Sequence, residues 1–326
     1  MAIITETTLK AAVKAYVDAT KQLQSPFKVT VDDFTECVEK IGKMVTLKMP
    51  GKDKLMELDG DTLPYGKTIE EYFIDDFLPV ADTYEDQKVR KNQPRPTFQE
   101  AVYSYSLTPQ KFGKFVSAPQ LEAVSINAQA YADLVAGTEV TISSSVNRWK
   151  YAAKRQLLGN LAVKAIGADN KATLVSELKT APASWDDVAG ENFLLQVKNL
   201  VEIAQDENDN NLAGLYAVEA PSLTLYVAQG IMPTLDVKTL SGAIHTDKLG
   251  YEATAKVIKD FGDTGTNKIL AVLVDPRGVK LHPDHDFTMS DIDSDQGGVN
   301  VVRHIQDTGF LSKYGFVHVW VLNEAA

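Results

Sequence analysis

Residues 44–116 constrain this chain more than any other stretch, because they carry too little apolar side chain to fold by themselves. A strand-like run at 44–49 (MVTLKM) opens the segment, and two more, at 98–107 and 112–117, close it. Between them Lys, Asp and Glu abound, and Pro64, Pro79, Pro94 and Pro96 break any regular element. Leu63, Tyr65, Ile69, Tyr72, Phe73, Ile74, Phe77 and Leu78 are too sparse for a separate core. A structureless stretch of this length inside a compact domain is unusual and points to function or disorder. An arm that becomes buried against another subunit fits the pattern better than either an ordinary loop or part of an enzyme core.

The rest of the chain reads as ordinary globular protein. With 326 residues, 44% hydrophobic and 24% charged, it can build one large domain or two smaller ones. A net charge of −11 argues against a protein that grips nucleic acid by neutralising phosphates. Cys37 is the sole cysteine, so neither an internal disulfide nor a cysteine-based zinc site is available. The opening residues lack a charged stretch followed by an apolar block, and no apolar run approaches the length of a membrane span. These features predict a product of a reducing cytoplasm.

Apolar spacing predicts helices at 5–23 and 31–41, and a short one at 125–135 that Gly137 stops. The longest helix is predicted over 139–166, with Ile142, Val146, Trp149, Ala153, Leu157, Leu161 and Ala165 along one stripe. Its opposite face carries Asn147, Arg148, Lys150, Lys154 and Arg155, which reads as solvated surface. From 168 onward the texture becomes α/β. Helices are predicted at 188–204 and 233–245, and strands at 215–218, 223–227, 252–259, 269–274, 279–282, 299–304 and 315–322. The continuous run ILAVLV at 269–274 predicts a strand buried on both faces. In GFVHVWVL, Phe316, His318, Trp320 and Leu322 alternate onto one face.

Residues that could carry chemistry are few. His282 and His285, with Asp284 and Asp286, could ligate a metal if His304 or His318 supplied a third ligand, but Pro283 favours a polar turn there. Asp291, Asp293 and Asp295 begin like a calcium loop, yet Gln296 and Val302 stand where Gly and Glu are required. The acidic stretch 206–211 fails in the same way. Gly262-Asp-Thr-Gly265 lacks a second Asp lobe and reads as a hairpin connection. No nucleophile elbow, phosphate-binding loop or zinc-protease helix motif is present. The sequence therefore assigns no catalytic, cofactor or metal residue and favours a structural protein.

Two stretches carry a resemblance. Residues 63–71, Leu-Pro-Tyr-Gly-Lys-Thr-Ile-Glu-Glu, resemble a P-x-G-x-T-I-E-E stretch in capsid proteins of small short-tailed phages of Bacillus. Residues 270–275 (LAVLVD), with His318-Val-Trp320 near the terminus, are similar to the closing part of the same proteins. The chain as a whole resembles the tailed-phage major capsid proteins with the Hong Kong 97-type fold, an α+β architecture. That resemblance implies an N-terminal arm at 1–42, an extended E-loop with flanking strands at 43–118, and a peripheral domain with its spine helix at 119–168. An axial domain at 169–275 and peripheral return strands at 276–326 would follow. It implies a virion shell protein, assembled in the bacterial cytoplasm from hexamers and pentamers into an icosahedral head around double-stranded DNA. Scaffolding and portal proteins would assist, and no cofactor or membrane is involved. Tyr65, Gly66, Lys67, Ile69, Glu70, Glu71, Tyr72, Phe73 and Phe77 would form the intersubunit contact. Two alternatives are an encapsulin-type compartment shell and a metal-dependent enzyme using His282 and His285. Cross-linking and added decoration domains are not implied.

Overall fold

A computed structural model of the chain describes residues 53–63, 68–74, 98–103, 107–124, 128–185, 187–216, 219–231, 253–293 and 297–323. The helices expected at 5–23, 31–41 and 233–245 and the strand expected at 44–49 lie outside these residues. The longest described helix is α2 (Ala128–Ile166); the shorter α1 (Ala118–Val124) precedes it. At 1.5 Å per residue α2 is about 58 Å long. It absorbs most of the helix expected at 125–135, and Gly137 does not stop it. A single glycine in a helix interior costs only about 1 kcal/mol, and the polar residues beside it close their own bonds. The hydroxyls of Thr138, Thr141 and Ser145 donate to the carbonyls of Leu134, Gly137 and Thr141 at 2.9, 2.6 and 3.0 Å.

Two sheets share this helix. Its N-terminal half covers a three-stranded antiparallel sheet ordered β3 (Gln110–Ser117), β9 (Gly298–Leu311), β8 (Val279–Asp293). Ile142 and Val146 are buried, as are Val299, Val301 and Ile305 of β9, Arg303 of β9 reaches Ser143 of the helix, and Phe112 sets its ring edge-on to Trp149. The C-terminal half covers one face of a five-stranded mixed sheet ordered β4 (Val175–Leu178), β10 (Val317–Leu322), β7 (Lys268–Val274), β5 (Leu223–Ala228), β6 (Ala253–Ile258). Helix α4 (Asp187–Gln205) covers the other face, and the single turn α3 (Lys171–Leu174) leads into β4.

Strand alternation sorts the apolar side chains between the two helices. Tyr226, Val272, Val274, Val317 and Val319 pack with Leu157, Leu158 and Leu161 of α2. Leu225, Val227, Leu273, Phe316 and Trp320 pack with Phe193, Val197 and Val201 of α4. β7 is thus buried on both sides, as its uninterrupted apolar run predicts.

Four expectations change. β10 lies between β4 and β7, so the last strand joins the sheet of residues 169–275 instead of the return strands expected for all of 276–326. Pro283 does not end a turn; β8 runs through it with a register shift between Pro283 and His285, the bulge that lets an edge strand tolerate a missing N–H. β6 and β7 both pair with β5, so residues 259–267 cross over β5 and form no hairpin. Residues 215–216 are not strand, and 217–218 lie outside the described residues.

The buried groups also set a pH response. Asp307 on β9 is fully buried, with neither carboxylate oxygen hydrogen-bonded and Lys150 at 3.9 Å. Burial pushes its carboxyl up to about 6, against the pull of Lys150. The folded subunit therefore binds the extra proton between the ordinary aspartate value and pH 6, and stability falls as pH rises through that window. His318 acts oppositely, since burial lowers it to about 4 and stability falls as pH drops below its ordinary value. Its Nδ1 faces the Thr173 carbonyl at 3.0 Å and so carries the proton, leaving Nε2 to accept from Ser176 at 2.9 Å. Each effect amounts to about 3 kcal/mol, so the two largely offset. We expect Asp307→Asn to unmask the His318 slope: urea unfolding between pH 4 and 7 will show stability rising with pH more steeply than in the parent.

Candidate intersubunit arm and its anchorage

The segment that reads as a free arm is held firmly at its base. Residues 53–63 contain only two strong apolar side chains pointing inward, Leu55 and Leu58, and both are fully buried in the core beneath α2. The intervening charged residues meet buried or half-buried partners. Lys154 of α2, 0% exposed, lies 2.5 Å from Asp53, 2.5 Å from Asp59 and 2.9 Å from the Leu55 carbonyl. Glu57 accepts from Tyr226 at 2.9 Å and Lys256 at 2.5 Å, while Lys280 donates to the Glu57 carbonyl at 2.6 Å. Gly60 and Leu63 donate backbone bonds to the Leu281 and Pro283 carbonyls of β8, both at 2.9 Å. The His282 ring occupies the space that any side chain at position 60 would need. Lysines from α2, β6 and β8 thus converge on one short segment.

That arrangement corrects the reading of the helix's basic face as solvated. Lys154 is internal, Arg155 pairs with Asp260, and Lys150 points toward Asp307. Of that group only Arg148 is exposed; Asn147 is half-buried.

Beyond Leu63 the chain enters a two-stranded antiparallel ribbon, β1 (Ile69–Ile74) with β2 (Phe98–Tyr103). Period-two alternation gives it two unlike faces. Ile69, Glu71 and Phe73 look inward. Phe73 stacks on Tyr314 at 5.2 Å, Tyr103 meets Phe310 edge-on at 5.0 Å, and Glu71 accepts from Tyr103 at 2.8 Å and from Ser312 at 2.6 Å. Lys313 donates its backbone N–H to the Tyr103 hydroxyl at 3.0 Å. Burial, together with the hydrogen bond to Glu71, pushes the Tyr103 phenol well above its ordinary value, against the opposing pull of the Lys313 N–H. The outward face carries Glu70, Tyr72 and Ile74, opposite Val102 and Glu100. Tyr72, Ile74 and Val102 are 52%, 59% and 56% exposed. Of the residues expected to contact a neighbour, Glu71 and Phe73 are engaged by their own chain. Tyr65, Gly66, Lys67 and Phe77 lie outside the described residues. Val102 was missed by sequence reading; its alternation with Tyr103 was the available signal.

The remaining candidates disperse. His282 bonds the Asp61 carbonyl and meets Phe310, His285 meets Phe287, His304 stacks on Phe287, and His318 sits in the other sheet. Among the described residues no group of three or more His, Cys, Asp or Glu is placed to hold a metal ion. The 206–211 stretch braces a loop through its amides. Asn211 holds Ala213, Leu215 and the Leu215 carbonyl, and Asn208 accepts from the Asn210 N–H. At 262–265, Gln156 of α2 clamps Asp263 by both its N–H and its carbonyl. No described helix is long and apolar enough to cross a membrane.

Comparison with known proteins bears on the whole chain. The family model for the Phi29-like phage major capsid protein matches residues 4–321. No protein with a curated description matches in sequence. Among solved structures, the capsid of Staphylococcus phage Andhra aligns with a TM-score of 0.63 at 10% identity, covering 86% of each chain. The capsid of cyanophage P-SCSP1u aligns at 0.57 with 10% identity, covering 82% of this chain and 87% of that one. The mature capsid of bacteriophage PhiM1 aligns at 0.54 with 8% identity over 82% and 87%.

Proposed function

The chain belongs to the Phi29-like phage major capsid protein family, and on that premise we propose that its copies close into hexamers and pentamers through the β1–β2 ribbon. The protein is a phage major capsid protein with the Hong Kong 97-type α+β fold, and it forms the shell of the virion. Its role is structural. In the proposed reading the shell is icosahedral and encloses double-stranded DNA without gripping it, consistent with the net charge of −11. Scaffolding and portal proteins direct its assembly in the host cytoplasm. The three-stranded sheet with the N-terminal half of α2 acts as the peripheral domain. The five-stranded sheet with α4 acts as the axial domain.

The observation that carries the reading is the two-faced ribbon. Its inner face is tied to residues 310–314, while Tyr72, Ile74 and Val102 stay exposed on the outer face. Head-to-tail contact of one such patch with a different patch on the next copy closes a ring when the rotation permits. Tyr72→Ser with Ile74→Ser is expected to reduce particle yield about tenfold or more, as loss of two interface anchors should. Sedimentation and electron microscopy measure the yield, and unaltered subunit unfolding shows that the fold is intact. Assembly at the parental level would remove the ribbon from the interface.

A further inference from the structure

A carboxylate without a hydrogen bond lies among the charges that hold the arm's base. Asp307 is 0% exposed, and neither of its oxygens meets a donor. Such a group is costly to ionise unless a cation closes on it. Lys150 stops at 3.9 Å, beyond hydrogen-bonding reach. Lys154, the other cation of α2 that faces the site, is committed to Asp53, Asp59 and the Leu55 carbonyl. The remaining charged groups facing Asp307 are carboxylates, Asp286 of β8 and Asp59 of the 53–63 segment. On its own strand, Arg303 is engaged by both oxygens of Asp286. The site therefore suits a neutral acid. Burial, helped by Asp286 and Asp59, pushes the Asp307 carboxyl up to about 6 against the pull of both lysines.

The same group sits beside the anchor. Asp307 pairs across the strands with Pro283, whose carbonyl accepts the Leu63 N–H at 2.9 Å. The Gly60 N–H bonds the Leu281 carbonyl at 2.9 Å, and Asp59 bridges to Leu281. Residues 59–63 thus line the outer edge of β8, one strand away from Asp307, and Lys154 ties them to the same charge cluster. We infer that a proton on Asp307 locks the base of the arm, so that residues 53–63 open as Asp307 gives its proton to solvent and close as it regains one. When the segment lifts from β8 and Lys154 leaves Asp53 and Asp59, water reaches the cluster and the carboxyl ionises. The closed form holds the raised carboxyl, so its advantage is complete below the ordinary aspartate value and is lost as pH rises through about 6. Only the consequence rests on the arm reading: the proton sets how firmly the base is held before the ribbon meets a neighbouring copy.

Hydrogen exchange of the unassembled full-length subunit, corrected for the intrinsic rate at each pH, tests this. The Gly60 and Leu63 amides should open about tenfold more often at pH 7 than at pH 5, since each pH unit below the Asp307 value is a factor of ten. Asp307→Asn, which keeps the shape of the neutral acid, should leave less than about a twofold change. Lys150→Met keeps the carboxyl but removes a cation that lowers it, so the midpoint of the profile should move upward, a response that lost packing alone would not give. The His282 ring packs against Gly60, so the reading is the difference between parent and variant. A flat parent profile, or a tenfold rise that persists in Asp307→Asn, overturns the inference. So does exchange of Gly60 and Leu63 only at the rate of the β7 amides, which would make the opening global. Normal assembly of the Tyr72→Ser, Ile74→Ser pair would end the arm reading and leave the proton lock standing.

Discussion

Exchanging Lys154 for Met is expected to lower the unfolding free energy of the unassembled subunit by about 3–5 kcal/mol, the range found when one member of a buried ion pair is removed. The ammonium is wholly buried and is shared by Asp53, Asp59 and the Leu55 carbonyl. Without it Asp53, 7% exposed, remains as an unpaired charge inside the protein, whereas Asp59, 50% exposed, can turn to water. The double exchange Lys154→Met with Asp53→Asn should recover part of the loss, since most of the cost lies in the stranded carboxylate. Urea unfolding reads both. Limited proteolysis adds a local readout: cleavage within 53–63 should accelerate in the single variant before global unfolding does. A loss below about 1 kcal/mol, typical of a surface pair, would mean the Lys154 pairing is not the anchor of the arm.

Trp320→Ala should cost a similar amount, about 3–5 kcal/mol, because it empties the centre of the layer between β10 and α4. Trp320 is 0% exposed, meets Phe193 edge-on at 5.3 Å and His318 at 4.8 Å, and donates its indole N–H to Gln196 at 3.1 Å. The melting temperature of the subunit should drop by roughly 4–7 °C. Trp320→Phe, which keeps the ring but leaves Gln196 without its donor, should lose markedly less. Equal losses for the two variants would place the stabilisation in the hydrogen bond and not in the packing.

Where apolar period alone defines an element, sequence and structure agree. GFVHVWVL alternates into a strand with Phe316 and Trp320 on one side and Val317 and Val319 on the other. The stripe from Ile142 to Ala165 lies along the buried side of α2. Where a polar residue changes role through a distant partner, the pattern is silent. Lys154 repeats with Lys150 as any solvated face does, and its burial depends on Asp53, 101 positions earlier. Pro283 and Gly137 are breakers in isolation. Each is tolerated because a bulge on an edge strand, or packing along a long helix, supplies what the residue itself lacks.

The order of elements, the acidic surface charge and the identifying stretch around Ile69-Glu70-Glu71 were determined by the sequence itself, since local period and motif need no knowledge of contacts. Which part of residues 44–116 is arm and which is anchor was decided only in three dimensions. Residues 53–63 read as part of a charged arm, yet Leu55 and Leu58 are fully buried in the core, and three lysines from separate elements meet the segment's carboxylates and carbonyls. The same holds for the ribbon. Alternation assigns Tyr72 and Phe73 to opposite faces, but only the placement of Tyr314 beside β1 shows which face remains for a neighbour.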